Sequence, residues 1–399
     1  MSEPWLTVLG IGEDGRAGLS PAAQACLDAA HIVFGGRRHL ALAGVAHGRT
    51  WPSPFERGVE EVLALRGRPV CVLASGDPFL HGVGATLARR VPAQEMRVLP
   101  APSAFSLAAA RLGWALHEVD SLSLHGRPLE LVRPHLQPGR RLLALTSDGQ
   151  GPAMLAALLA AGGFGASRLH VLEALGGPRE RVRTAPAAGF ALDDIDPLNL
   201  VGIEVAAAPG ARILPRTAGR AEALFEHDGQ ITKREVRAVT LAALAPRRGE
   251  MLWHIGAGSG SIGIEWLLAD PSLRALAVEA RADRAARIAR NALACGVPGL
   301  TVVQGEAPAA LAGLPGPDAV FVGGGASEAV LDAAIGALQS GGRLVVNAVT
   351  LETEALLIAR YGALGGDLVQ IAVARAAPVG GFSGWSPFRP VTQWSWIKP

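Results

Sequence analysis

The chain has 399 residues, 49% of them hydrophobic and 18% charged, with a mean hydropathy of +0.28. That is material for two or three buried cores and excludes a disordered chain. Its 37 basic and 35 acidic residues leave a formal charge of +2, so no global field gathers nucleic acid or an anionic membrane. Among the basic residues only Lys233 and Lys398 are lysine. The arginine excess fits the codon bias of a GC-rich genome, and planar guanidinium forks also suit carboxylate-rich ligands. The three scattered cysteines, Cys26, Cys71 and Cys295, form neither a disulfide framework nor a Cys-x-x-Cys metal site and point to a reducing cytoplasm. No basic leader precedes the first apolar stretch, and the run from Met154 to Ala161 is far short of the roughly 20 residues that cross a bilayer. A cytoplasmic protein without a membrane partner is expected.

In chain order, strand-like runs at Leu6–Leu9, Val70–Ala74, Leu142–Leu145 and Leu200–Val205 alternate with longer helical stretches. The alternation continues through Met251–Ile255, Ala275–Val278, Thr301–Val303, Ala319–Val322 and Arg343–Val346 and predicts an α/β fold throughout. Ala-Ala-Ala-Pro-Gly at 206–210 and Leu-Pro-Arg-Thr at 214–217 place a seam near residue 208. The expected domains are 1–207 and 208–399, and they share no order of motifs.

The first half carries four markers in order. Gly10-Ile11-Gly12 follows the first strand; Ser75-Gly76-Asp77-Pro78, with Gly82 and Gly84, follows Val70–Ala74; then come Pro102-Ser103-Ala104-Phe105-Ser106 and Ser123-Leu124-His125-Gly126-Arg127. Each alone reads as an ordinary turn. Their order and spacing together resemble the tetrapyrrole methylase family, in its precorrin and cobalt-precorrin carbon-5 branch. The resemblance implies a two-lobed α/β fold with S-adenosyl-L-methionine (SAM) folded between the lobes. It also implies that Gly76, Asp77 and Leu80 line the methionine end of SAM, with Ser103 and Ala104 opposite and Thr146 in the second lobe. In the loop Gly10 to Gly15, many relatives carry Pro-Gly where this chain has Glu13-Asp14; these two are either solvated turn residues or substrate contacts.

In the second half, strand Met251–Ile255 runs into Gly256-Ala257-Gly258-Ser259-Gly260 and then a helical stretch, Ile262 to Leu268. Such glycines allow a tight strand-to-helix turn and a close backbone approach to a ligand. About 20 residues on, Ala275–Val278 ends in Glu279, a carboxylate placed to accept both hydroxyls of a ribose. Together they point to a nucleoside-containing cofactor. The G-x-G-x-G spacing is similar to that of Rossmann-like class I SAM-dependent methyltransferases. Gly323-Gly324-Gly325 after the fourth strand differs from the Asp/Asn-Pro-Pro-Tyr of amino-group methyltransferases, so an exocyclic amine is not the expected acceptor.

Over Thr232 to Arg237, Trp253 to Gly260, Gly305 to Pro308 and Asn347 to Thr350, this half resembles the decarboxylating precorrin methyltransferases of cobalamin biosynthesis. That family's SAM contacts map to Thr232, to Gly256, Ala257, Gly258, Ser259 and Gly260, to Glu279 and to Ala307. Where the family usually carries Asp, two residues before the first glycine, this chain has His254; a neutral histidine still makes one hydrogen bond at each ring nitrogen. Relatives of this half form tetramers, which implies a homo-oligomer through it.

The fusion implies a bifunctional enzyme with one SAM site per domain and precorrin-6B as substrate. The first domain would methylate carbon 5; the second would methylate carbon 15 and decarboxylate the ring-C acetate (carbon 12), giving precorrin-8. Attack of an electron-rich ring carbon on a sulfonium methyl needs positioning more than a strong base, and individual catalytic residues are not assigned. No His/Cys/carboxylate spacing suggests a metal. Precorrin carboxylates make Arg127, Arg216, Arg220 and Arg234 candidate substrate-binding groups. Gly380 to Phe388 mixes glycine with aromatics and is either a lid over a flat macrocycle or a hairpin connection packing its rings inward.

Overall fold

The structure, a computed structural model, describes residues 4–399. It falls into two compact units: the chain up to Leu129 with Gln137–Ala211, and Glu130–Leu136 with Arg212–Pro399. The short segment Glu130–Leu136, taken out of the first half of the chain, has no signal in the sequence.

In the first unit, β1 (Leu6–Ile11), β2 (Ile32–Gly35), β3 (Arg49–Thr50), β4 (Val70–Ser75) and β5 (Met96–Leu99) form a sheet in the order β3-β2-β4-β1-β5. All its pairs are parallel. Successive residues of β4 serve opposite faces. Val70 and Val72 pack with Leu6, Val8 and Phe34, while Cys71 and Leu73 pack with Leu9, Ile11 and Val33. Burial on both sides explains why this strand reads as a continuous apolar run.

A second sheet, β6-β7-β10-β8-β9, comprises β6 (Asp120–Ser123), β7 (Arg141–Leu145), β8 (Arg168–Glu173), β9 (Arg181–Pro186) and β10 (Asn199–Glu204). Only its β6–β7 pair is parallel. Helix Ala104–Leu112 starts at Ser103, whose Oγ accepts from the Ser106 N–H at 3.1 Å, and it packs Phe105 and Ala108 against Leu143, Leu172 and Leu200 of that sheet.

The second unit is built on one sheet, β13-β12-β11-β14-β15-β19-β16. Its strands are β11 (Met251–Ile255), β12 (Arg274–Glu279), β13 (Thr301–Gln304), β14 (Ala319–Val322), β15 (Arg343–Ala348), β16 (Asp367–Ile371) and β19 (Val391–Ile397). β11 to β15 run parallel, and β19 enters antiparallel between β15 and β16. The strand order reverses between β11 and β14, so the loops leaving these strands diverge and open a crevice at their C-terminal ends.

A buried ionic group braces the approach to that crevice. Glu265 is fully buried, accepts from Arg237 Nε at 3.0 Å and from the N–H groups of Gly219 and Arg220 at 2.8 and 3.0 Å, and stands 3.6 Å from the Arg220 guanidinium. Arg237 also donates to the Thr232 carbonyl. One carboxylate thereby ties helix Arg234–Leu244 to the loop at Gly219-Arg220.

The aromatic-glycine tail forms a hairpin, β17 (Ala374–Val379) with β18 (Phe382–Pro387). Its rings do not pack inward: Phe382 and Trp385 are 85% and 78% exposed. Cys26, Cys71 and Cys295 are free thiols. No helix among the described residues is long and apolar enough to cross a membrane.

Candidate functional site

In the second unit the crevice is a cavity of about 730 Å³, within the roughly 300–1,000 Å³ of small-molecule sites. Of the residues expected at a cofactor, Thr232, Gly256, Ala257, Gly258, Ser259, Glu279 and Ala307 line it. Their local geometry follows from glycine. Gly256 has φ +64°, and a Cβ there would stand 2.4 Å from the Gly324 carbonyl oxygen; Gly258 has φ +59° and faces open space. Gly260 is not a lining residue. It caps helix Ser261–Leu267 with φ +77°, and a Cβ there would meet Ile288 at 2.8 Å, so its part is close packing beneath the loop.

Glu279 ends β12 and is 6% exposed. It accepts from Gly258 N–H at 2.8 Å and Arg281 N–H at 3.1 Å; each carboxylate oxygen keeps a second acceptor site for a diol. Among the cavity residues, glycines open a backbone cradle and a carboxylate stands at its edge. This donor and acceptor set fits the ribose of a nucleoside-containing cofactor such as SAM.

His254 lines the same cavity, and its ring stands 5.3 Å from Phe321. Burial drives its pKa down to about 3, so the ring is neutral. Nδ1 accepts from Gly263 N–H at 3.2 Å, which places the single proton on Nε2. His254 therefore anchors the start of the following helix and supplies a donor, where an aspartate would bring a charge.

The arginines expected at this cleft lie elsewhere. Arg220 is 4% exposed against Glu265. Arg216 and Arg234 are exposed and do not line the cavity. The cations that do line it are Lys233, Arg284 and Arg389. Arg284 is held by Asp228 at 2.9 Å and Gln230 at 2.7 Å. Sequence reasoning also missed Asn347 and Phe388, which line the cavity. Asn347 falls within a motif already singled out, while Phe388 reaches the site only because β18 and β19 return the chain to it.

In the first unit the expected residues gather where β1 and β4 end. Gly76 donates its N–H to the Ile11 carbonyl and accepts from Ala101 N–H, both at 3.1 Å. A Cβ on Gly10 would stand 1.9 Å from the Gly76 oxygen, and one on Gly76 would stand 3.0 Å from Ser103 Cα. Three loops thus meet at backbone distance. Asp77 accepts from Phe79 N–H at 2.8 Å, and Leu80 beside them is 41% exposed. Thr146 is different: it is 4% exposed and donates its hydroxyl to Asn199 Oδ1 at 2.5 Å, which commits that hydroxyl to the fold. Arg127 is exposed and reaches the Ser123 carbonyl at 3.5 Å.

Glu13 is neither a solvated turn residue nor a free group. Its side chain, 11% exposed, pairs with Arg38 and stands 3.7 Å from Arg179. Arg38 and His39 both contact Ser75 Oγ, at 2.9 and 2.7 Å, directly before the Gly76-Asp77 turn. Burial and the Arg38 charge hold the His39 pKa down to about 4. Because Arg38 can only donate, His39 Nε2 at 3.1 Å from it is the acceptor. Among the described residues no group of three or more His, Cys, Asp or Glu side chains is placed to hold a metal ion.

The chain's two units correspond to two families. Residues 6–191 match the Tetrapyrrole (Corrin/Porphyrin) Methylases, and residues 223–398 match the Precorrin methyltransferase domain. The class is therefore a methyltransferase in which two such domains are fused. A Sinorhizobium sp protein named precorrin-6Y C(5,15)-methyltransferase [decarboxylating] is 64% identical over 99% of this chain and 97% of its own length. This chain belongs to that family. Two Salmonella typhimurium proteins match part of it. The cobalt-precorrin-7 C(5)-methyltransferase is 30% identical over 47% of this chain and 94% of its own length. The cobalt-precorrin-6B C(15)-methyltransferase (decarboxylating) is 37% identical over 40% of this chain and 85% of its own length.

Proposed function

We propose that this chain is a bifunctional, SAM-dependent C-methyltransferase of cobalamin biosynthesis that methylates precorrin-6B at carbons 5 and 15 and decarboxylates its carbon-12 acetate, giving precorrin-8. The observation that carries the reading is the pairing of two separate glycine-built sites with the full-length likeness to a C(5,15) family. The two partial relatives, each named for one of the methylations, support one reaction per domain. The first domain, 1–207, takes carbon 5; the second, 208–399, takes carbon 15 and the decarboxylation.

SAM, one per domain, supplies an electrophilic methyl group on sulfonium. The chain's own part would be to hold an electron-rich ring carbon of the substrate against that methyl group. In the second domain Gly256 to Gly258 present backbone to the cofactor, Glu279 accepts the ribose hydroxyls, and Thr232 and Ala307 close the cavity walls. In the first domain Gly76, Asp77, Leu80, Ser103 and Ala104 form the corresponding surface. Ser103 and Gly260 support these loops by capping helices. A homo-oligomer through the second domain belongs to this reading, with the exposed hairpin rings Phe382 and Trp385 as the surface to test. The protein works in the cytoplasm, with its thiols reduced.

Mass spectrometry of precorrin-6B incubated with SAM and the protein tests the reading. The expected product has gained two methyl groups and lost one carbon dioxide. A Glu279→Gln protein should still add one methyl group while its second methylation and decarboxylation are impaired; loss of both methylations together would overturn the division of labour.

A further inference from the structure

Two lysines stand in a chain whose other basic residues are arginine. Lys398 is explained by local geometry. Its Nζ donates to the Ile335 and Leu338 carbonyls at 2.8 and 2.7 Å and closes the end of helix Glu328–Ala337, a task for a compact ammonium with freely turning donors.

Lys233 has no such partner. It precedes helix Arg234–Leu244, lines the cavity of the second unit, and holds its Nζ 5.4 Å from the centre of the Phe388 ring. Phe388 is also approached by Arg375, at 5.2 Å. Arg375 takes the neighbouring carboxylates, Glu222 at 2.9 Å and Glu235 at 2.7 Å. Burial alone would raise the Glu222 pKa, but the hydrogen bond from Arg375 and the backbone donors hold it down to about 2. Glu222 and Glu235 are thus committed to Arg375, and among the described residues the Lys233 ammonium makes no ion pair with these or with Glu279 and Glu306, which line the same cavity. An unpaired ammonium braced on a ring face at the wall of a cavity is prepared for an external anion.

Resting on the tetrapyrrole reading above, we propose that Lys233 is a substrate-binding residue of the second unit, pairing with a peripheral carboxylate that the macrocycle keeps and not with the acetate it loses. The choice between carboxylates follows from the chemistry. Decarboxylation breaks the bond between the acetate methylene and its carboxyl carbon; the electron pair passes into the ring system and neutral carbon dioxide departs. An ammonium against that carboxylate would stabilise the charged reactant more than the transition state, and would slow the step. A carboxylate that keeps its charge is held equally in both states. Such a contact lowers KM and leaves kcat unaltered. Arg389, exposed at the same cavity, provides a second positive charge for a substrate with several carboxylates.

The experiment uses the full-length protein with precorrin-6B and SAM, following carbon dioxide release and both methylations. Lys233→Gln should raise KM for the second-unit reaction about tenfold to a hundredfold, the range of one charged hydrogen bond, with kcat within about twofold. Lys233→Arg should fall between it and the wild type. SAM affinity by calorimetry, the melting temperature and the carbon-5 methylation rate should match the wild type. A fall in kcat at unchanged KM, a weakened SAM affinity, or an unchanged KM with an active wild type would each overturn the assignment of Lys233. A wild-type protein inert toward precorrin-6B would overturn the functional reading itself, and the lysine assignment with it.

Discussion

On the proposed reading the two units solve the same problem, exposing backbone to a cofactor, by different uses of glycine. In the second unit Gly258 is bent into a left-handed conformation and faces empty space, so its missing side chain leaves room for a ligand. In the first unit Gly10 is packed against the Gly76 oxygen and Ala101 nitrogen, with a Cβ reaching 1.9 and 2.5 Å, so its missing side chain leaves room for another loop. One glycine leaves space at the cavity, and the other lets segments far apart in the chain meet at backbone distance.

That contrast is open to direct attack. Gly10→Ala should be the most damaging change, costing about 3 kcal/mol or more because backbone atoms cannot step aside, with carbon-5 methylation lost and a lower first melting transition. Gly258→Ala should cost only the left-handed strain of about 1–2 kcal/mol yet abolish SAM binding in the second unit, seen by calorimetry on a protein that still methylates carbon 5. If Gly10→Ala folds normally, the distinction between the two glycines fails.

Arg237→Met would strand the Glu265 carboxylate, leaving it the more distant Arg220. Losing one partner of a buried pair costs about 3–5 kcal/mol, and the melting transition of the second unit should fall accordingly while the first is unmoved. Glu279→Gln should weaken SAM binding in the second unit by about tenfold, one charged hydrogen bond, with no change in the fold by circular dichroism.

A pH dependence is shared by both units. His39 and His254 are neutral in the folded protein, with pKa values lowered to about 4 and about 3. Unfolded, each takes up a proton below its ordinary value of 6.5. Stability is therefore lost as pH falls from about 6.5 towards 4 and 3, because the unfolded chain binds more protons. Melting temperatures between pH 7 and pH 5 should decline, and replacing His254 with Gln should flatten the slope.

Much of this was legible in the chain. Strand-like runs such as Val70–Ala74 lie within observed strands because burial on both faces writes itself as continuous hydrophobicity. The turn at Gly256 to Gly260 and the acid at Glu279 announce themselves because strand, turn and next strand are close in sequence. The cationic residues do not. Arg220 carries the same charge whether it faces solvent, a ligand or Glu265, and the partner that decides lies 45 positions away. Lys233 and Phe388 meet only through the return of the tail, and Thr146 looks available until Asn199, 53 residues on, takes its hydroxyl. Local pattern reveals backbone shape; which charges remain unspent depends on contacts between distant segments.

The position of β19 carries a consequence for synthesis. It is the last strand of its sheet to be made, yet it lies inside that sheet, between β15 and β16. Domains generally fold as units during synthesis, and the first unit has all its strands by residue 204. The second must wait, with β15 presenting an unpaired edge until residues 391–397 emerge. Edges of that kind pair readily with other chains, so the interval before β19 docks is the period in which a nascent second unit is most exposed to misassembly.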